Sequence, residues 1–131
     1  MTKRLEMYRC EVCGNLVEVL VEGVGELVCC EQPMKLLQPK SKESEGLEKH
    51  VPIFELKEDG SLEICVGSVP HPMSEEHYIM FIQATSEDKN RVVIEYLYPT
   101  MEPKMLLKNN SGKICAREYC NIHGLWENTS D

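Results

Sequence analysis

Leu62-Glu63-Ile64-Cys65-Val66 sets an apolar side chain at every second position. A period of two is the pleat of a β-strand, with one face turned to a core and the other to water. Working outward, residues 53–56, 78–84, 92–98, 105–108 and 114–119 carry the same β-branched and aromatic character, and Pro- or Gly-containing breaks separate them. No long amphipathic helix and no internal repeat is evident. The expected fold class is all-β, with residues 47–131 forming an immunoglobulin-like antiparallel β-sandwich.

Upstream of that sandwich, Gln38-Pro-Lys-Ser-Lys-Glu-Ser-Glu-Gly46 is charged and small and has no apolar period. It reads as a linker over residues 38–46. Residues 1–37 read as turn, strand, turn: a knuckle at 11–15, an apolar stretch at 16–21 with Glu18 interleaved, and a turn at Gly23-Val24-Gly25. A piece shorter than ~40 residues cannot bury enough apolar surface to fold alone, so this module needs a metal, disulfides or a partner chain.

The chain has 131 residues and a formal net charge of −8, from 14 Lys+Arg against 22 Asp+Glu. Binding nucleic acid requires a basic face, and the 6% aromatic content offers no base-stacking platform, so nucleic acid is excluded as the main partner. No apolar run approaches the ~20 residues of a membrane helix, and residues 1–7 lack the apolar stretch of a signal peptide. A soluble cytoplasmic protein with reduced thiols is expected.

Seven cysteines are present. Four of them form Cys10-x-x-Cys13 and Cys29-Cys30. Two cysteines at i and i+3 on a tight turn can reach one ion, and Gly14 lets the backbone curl around it. Neighbours in a strand point to opposite faces, so Cys29 and Cys30 can share that ion only if the backbone bends sharply between them. Four soft thiolates select zinc or iron.

The four histidines are His50, His71, His77 and His123. Cys120-x-x-His123 lets a thiolate and an imidazole reach one ion from one loop, and Pro70 and Pro72 stiffen the segment carrying His71. Imidazole plus thiolate suits Fe, Cu, Zn or Ni, so the ligand types alone do not name the metal. A copper electron carrier would add a methionine shortly after its last histidine, and Gly124-Leu-Trp-Glu127 offers none. A structural zinc-binding module is the other alternative. Cys65 and Cys115 have no motif around them and read as small buried strand residues.

Tyr8-x-Cys10-x-x-Cys13-Gly14-Asn15 followed by Cys29-Cys30 resembles the desulforedoxin module, and the match spans about residues 4–37. Glu48-Lys49-His50-Val-Pro52, Gly67-Ser-Val-Pro-His71-Pro-Met73, His77-Tyr78-Ile79 and Cys120-Asn-Ile-His123-Gly-Leu-Trp126 resemble the superoxide reductase domain over residues 47–127. Together they resemble the two-iron desulfoferrodoxin family.

The resemblance implies one iron bound by Cys10, Cys13, Cys29 and Cys30. It implies a second, catalytic iron with His50, His71, His77 and His123 around it and Cys120 as axial ligand. Zinc or calcium is an expected substitute in recombinant material. The implied activity is one-electron reduction of superoxide to hydrogen peroxide, without dioxygen, at an open sixth position. Four neutral imidazoles and one thiolate around ferrous iron leave a charge of about +1, which draws an anion even to an acidic protein. Lys49 adds a second positive charge, expected to steer the anion in and help hold a proton-delivering water, and the resemblance makes Glu48 the residue that occupies the sixth position after oxidation. The implied partners are a rubredoxin-like electron donor and a second copy of the chain in a homodimer. Where relatives often carry Trp, this chain has Phe81, expected to be a core or cover residue rather than a ligand.

Overall fold

The computed structural model describes residues 1–41, 50–67, 71–108 and 112–131. Glu48, Lys49 and the Ser68–Pro70 part of the His71 motif lie outside the described residues. The described chain is all-β, and it divides into two compact units, Met1–Gln38 and Pro39–Asp131.

In the first unit, β1 (Met7–Arg9) is the middle strand of a three-stranded sheet, flanked by β2 (Leu16–Glu18) and β5 (Lys35–Leu36). A two-stranded hairpin, β3 (Val28–Cys29) and β4 (Gln32–Pro33), completes it. These strands are only two or three residues long. Met7 and Cys10 are each 2% exposed, whereas Leu20, Val21 and Val24 are 72%, 87% and 89% exposed. The module therefore has a minimal core, as its length requires.

The second unit is a sandwich. One sheet has the order β10-β7-β6, with β6 Pro52–Leu56, β7 Leu62–Val66 and β10 Lys104–Leu107. The other has the order β12-β11-β8-β9, with β8 Ile79–Ser86, β9 Val92–Tyr96, β11 Ile114–Cys120 and β12 Gly124–Thr129. All named pairings are antiparallel. The alternation read in β7 is realised: Leu62, Ile64 and Val66 enter the core, and Glu63 and Cys65 face outward. Opposite them lie Ile82 and Ala84 of β8 and Ile114, Ala116 and Cys120 of β11. Each fully buried aliphatic side chain of this size contributes about 1.5–3 kcal/mol of transfer free energy.

Three details position the site. β12, which no sequence pattern had singled out, forms a hairpin with β11 in which Cys120 pairs with Gly124. The register of β8 against β11 shifts beside Cys120: Tyr119 faces Phe81 but Cys120 faces Ile79, so Met80 is an extra residue in a β-bulge. The bulge brings Ile79 rather than Met80 into the core cluster. Lys40, inside the stretch read as a linker, pairs with Trp126 in a parallel bridge. Phe81 is 8% exposed and stacks on its cross-strand neighbour Tyr119, with ring centroids 5.9 Å apart, as a cover residue would.

Cys65 and Cys115 sit on the outward faces of opposite sheets, since their strand neighbours Ile64 and Val66, and Ile114 and Ala116, point into the shared core. They cannot form a disulfide with one another.

Candidate metal centres

In the N-terminal unit the thiols of Cys10, Cys13, Cys29 and Cys30 come within 4.8 Å of one another. The knuckle is held by Gly14 N donating to Cys10 O at 2.9 Å and Cys10 N to Asn15 O at 2.8 Å, with Gly14 at φ +84°. The sharp bend needed at the adjacent pair is present. Cys30 and Glu31 are the two central residues of the β3–β4 hairpin and have φ of 51° and 64°, the sign pattern of a type I′ turn. Such a turn swings Cys30 back beside Cys29, so both sulfurs serve one point, 4.0 Å apart.

Donors already address these sulfurs. Cys13 N lies 3.4 Å from Cys10 Sγ and Asn15 Nδ2 lies 3.7 Å from Cys29 Sγ. The backbone N–H groups of Cys13 and Val12 draw the Cys10 thiol down to about 6, while the sulfurs crowded around Cys30 push it up to about 12. Four thiolates this close repel one another unless a cation sits among them. The donor set fits zinc or iron.

The second constellation gathers one atom each from His50, His71, His77, Cys120 and His123, again within 4.8 Å. All five come from one end of the sandwich: His50 just before β6, His71 after β7, His77 just before β8, Cys120 closing β11, and His123 in the turn to β12. The antiparallel register makes these strand ends neighbours although the residues are scattered along the chain.

The imidazoles form a closed ring. His50 meets His71 at 4.8 Å between centroids, His71 meets His77 at 4.7 Å, His77 meets His123 at 5.0 Å, and His123 meets His50 at 4.6 Å. Each ring thus has two imidazole neighbours. Nε2 of His50 approaches Nδ1 of His123 at 3.0 Å, and Cys120 Sγ lies 3.8 Å from the same Nδ1.

The tautomer of His71 is set by its surroundings. Its Nδ1 lies 2.7 Å from the Pro72 carbonyl, an acceptor only, so Nδ1 carries the proton. Nε2 is then the lone-pair nitrogen, and it is buried with no hydrogen-bond partner among the described residues. Burial, helped by the other three histidines, lowers His71 to about 4, so it is neutral at physiological pH. A buried, neutral imidazole aiming a lone pair at three others and a thiol fits a metal ion.

Burial pushes the Cys120 thiol up and Glu118 adds to this, while the N–H groups of His123 and Ile122 and the charge of Lys40 work in the other direction. A bound cation would deprotonate the thiol outright. His50, His71 and Cys120 are buried, His77 is half-buried and His123 is exposed, so one side of the cluster meets solvent.

Several supporting residues carry no metal-ligand signature and were not singled out from sequence. Asn121 ties two loops together: its Oδ1 accepts from Tyr78 N at 2.9 Å and its Nδ2 donates to Glu76 O at 2.9 Å, on either side of His77. Trp126 stacks on His50 at 4.8 Å and 19°, and its Nε1 donates to His123 O at 3.1 Å. Glu118, two residues before Cys120, is fully buried, and neither carboxyl oxygen meets a partner among the described residues. Desolvation raises it well above the usual carboxylate range. Only the position of Asn121 and Trp126 within the Cys120–Trp126 motif could have hinted at such roles.

Both units have counterparts among known proteins. Residues 42–129 match the family described as Desulfoferrodoxin, and residues 2–37 match Desulfoferrodoxin, N-terminal domain. A desulfoferrodoxin of Desulfarculus baarsii is 48% identical over 127 residues, covering 97% of this chain and 98% of that protein. A superoxide reductase of Thermococcus kodakarensis is 38% identical over 97 residues, 62% of this chain and 84% of that protein. The solved superoxide reductase of Treponema pallidum superimposes with a TM-score of 0.73 over 98% of this chain and 99% of that one, and at 22% identity it speaks for the fold. With both units matched in order and nearly the whole length shared, this chain belongs to the desulfoferrodoxin family.

Proposed function

We propose that the chain is a superoxide reductase in which His50, His71, His77, His123 and Cys120 hold a catalytic iron. The observation that carries this reading is the closed ring of four imidazoles with the Cys120 sulfur against it. Superoxide takes up one electron and two protons and leaves as hydrogen peroxide, and no dioxygen forms. Iron held by these five residues would supply that electron, and a small donor of the rubredoxin type would restore it.

The chain's own residues prepare the site. His71 is locked by Pro72 with Nε2 inward, and burial keeps it from taking up a proton that would block ligation. His123 N lies 3.4 Å from Cys120 Sγ, which favours the ionised sulfur. The exposure of His123 leaves a solvent-facing side through which a small anion and protons can arrive. Lys49 and Glu48 directly precede His50 in the chain. Lys49 draws the anion in and holds the water that delivers a proton; Glu48 closes the open side between turnovers.

The four-cysteine group is read as a second iron site, with zinc or calcium as substitutes in recombinant material. The exposed Leu20, Val21 and Val24 of the small N-terminal unit support a homodimer in which a second copy covers them. No helix among the described residues is long and apolar enough to cross a membrane. A cytoplasmic setting suits seven thiols, none of them in a disulfide among the described residues.

Metal analysis with visible spectra and pulse radiolysis tests the reading. Two irons per chain, separate thiolate bands for the two centres, and rapid consumption of superoxide with peroxide but no dioxygen as product are expected. Dioxygen evolution, or an iron-loaded chain that leaves superoxide untouched, would overturn it.

A further inference from the structure

Lys40 stands ten positions before His50, outside every metal-ligand motif, and its side chain is exposed. Its backbone is nonetheless fixed. Lys40 N donates to Leu125 O at 2.9 Å and Glu127 N donates to Lys40 O at 2.8 Å, so the residue is pinned on both sides of Trp126. From there Nζ lies 5.2 Å from the centroid of the Trp126 ring and donates to His123 O at 3.2 Å.

The same carbonyl accepts from Trp126 Nε1 at 3.1 Å, and the indole stacks on His50. Two adjacent members of the imidazole ring, His50 and His123, are thus braced by one indole, and Lys40 contacts both the indole and the His123 carbonyl. A cation over an indole face is attracted by the ring quadrupole. Because the backbone is already ordered, only side-chain freedom is given up in holding this contact.

We infer that Lys40 is a positioning residue of the histidine–cysteine centre, clamping Trp126 against His50 and setting a fixed positive charge beside the His123–Cys120 edge. This rests on the reading of that site as a redox iron centre. The charge disfavours the more positive, oxidised state of a metal held there, so it raises the reduction potential of the centre. The group works through Trp126 and His123 and touches no reacting atom.

Three variants of the full chain separate packing from charge. Lys40→Met keeps a stem without the charge, Lys40→Arg keeps the charge, and Lys40→Ala removes both. Trp126 is the single tryptophan of the chain, so its fluorescence reads the clamp directly. In zinc-loaded protein the acrylamide quenching constant rises about twofold in Lys40→Ala, by a smaller factor in Lys40→Met, which keeps the stem and loses the cation, and stays at the wild-type value in Lys40→Arg. In iron-loaded protein, a redox titration followed on the visible band shows a lowered midpoint potential in Lys40→Met and Lys40→Ala, and an unshifted one in Lys40→Arg. An unchanged quenching constant in Lys40→Ala overturns the clamp, and equal potentials in all four proteins overturn the role of the charge. Wild-type protein that reduces no superoxide would instead defeat the functional reading, while both comparisons still decide Lys40.

Discussion

Nε2 of His50 lies 3.0 Å from Nδ1 of His123, two ring nitrogens brought together across 73 positions of sequence. The turn from Cys120 to Gly124 supplies one and the lead-in to β6 the other, and Cys120 Sγ is 3.8 Å from the same Nδ1. Replacing Cys120 with Ser removes the soft, ionisable ligand while leaving the imidazoles in place. The visible thiolate band of this centre is expected to vanish in Cys120→Ser, with that of the four-cysteine centre intact. Spectra of the two proteins, loaded identically, check this.

Asn121 bridges Tyr78 and Glu76 and so orients His77 against the Cys120 loop. Asn121→Ala removes both bonds and strands the Tyr78 N–H. A loss of about 1–3 kcal/mol of stability is expected, together with roughly 10-fold weaker metal binding of the kind that follows loss of an orienting partner. Chemical denaturation and competitive chelation measure the two effects.

His71 has its folded value lowered to about 4 from the usual 6.5. The unfolded chain therefore binds the proton first, and the stabilisation is intact above about pH 6.5 and lost progressively as pH falls toward 4. Protons compete for the ligand nitrogens, so metal release follows the same direction. Melting temperature and bound metal, followed from pH 8 to pH 4, should both fall through this window; a melting temperature flat down to pH 4 would contradict it.

Glu31 occupies a left-handed turn position, with φ 64°. Glycine adopts that conformation without the Cβ penalty of roughly 1–2 kcal/mol, and a β-branched residue suffers it most. Glu31→Gly should match or exceed wild-type stability, and Glu31→Val should destabilise the N-terminal unit and speed metal loss from the four-cysteine site. Chelator-driven bleaching of that centre distinguishes them.

Burial, with Glu63 beside it, pushes the Cys65 thiol up to about 11, and burial raises Cys115 as well. In metal-loaded protein both should react slowly with a thiol reagent at pH 8, because little thiolate is present. Unfolding in the presence of chelator should release all seven thiols. A fast-reacting thiol in the native holoprotein, mapped to either position, would refute this.

Local patterns made much of this legible. The alternation of Leu62–Val66 depends only on the pleat and was realised residue for residue. β12 was missed because Gly124–Thr129 mixes Gly, Trp, Glu and Asn without a clean period; it becomes a strand by pairing with β11. The vicinal cysteines required a bend, but its form, two consecutive positive φ values at Cys30 and Glu31, emerges only when β3 and β4 pair.

By itself the sequence determined which residue types could bind metal and that the chain is built from β-strands, because ligand chemistry and strand period are properties of the chain. Only the tertiary structure decided that four scattered imidazoles close into a ring, that a Met80 bulge brings Ile79 opposite Cys120, and that Cys65 and Cys115 face away from each other. The roles of Asn121, Trp126 and Lys40 came the same way. Each of these depends on register between strands distant in sequence, and register is selected by burying a shared core rather than by any local run of residues.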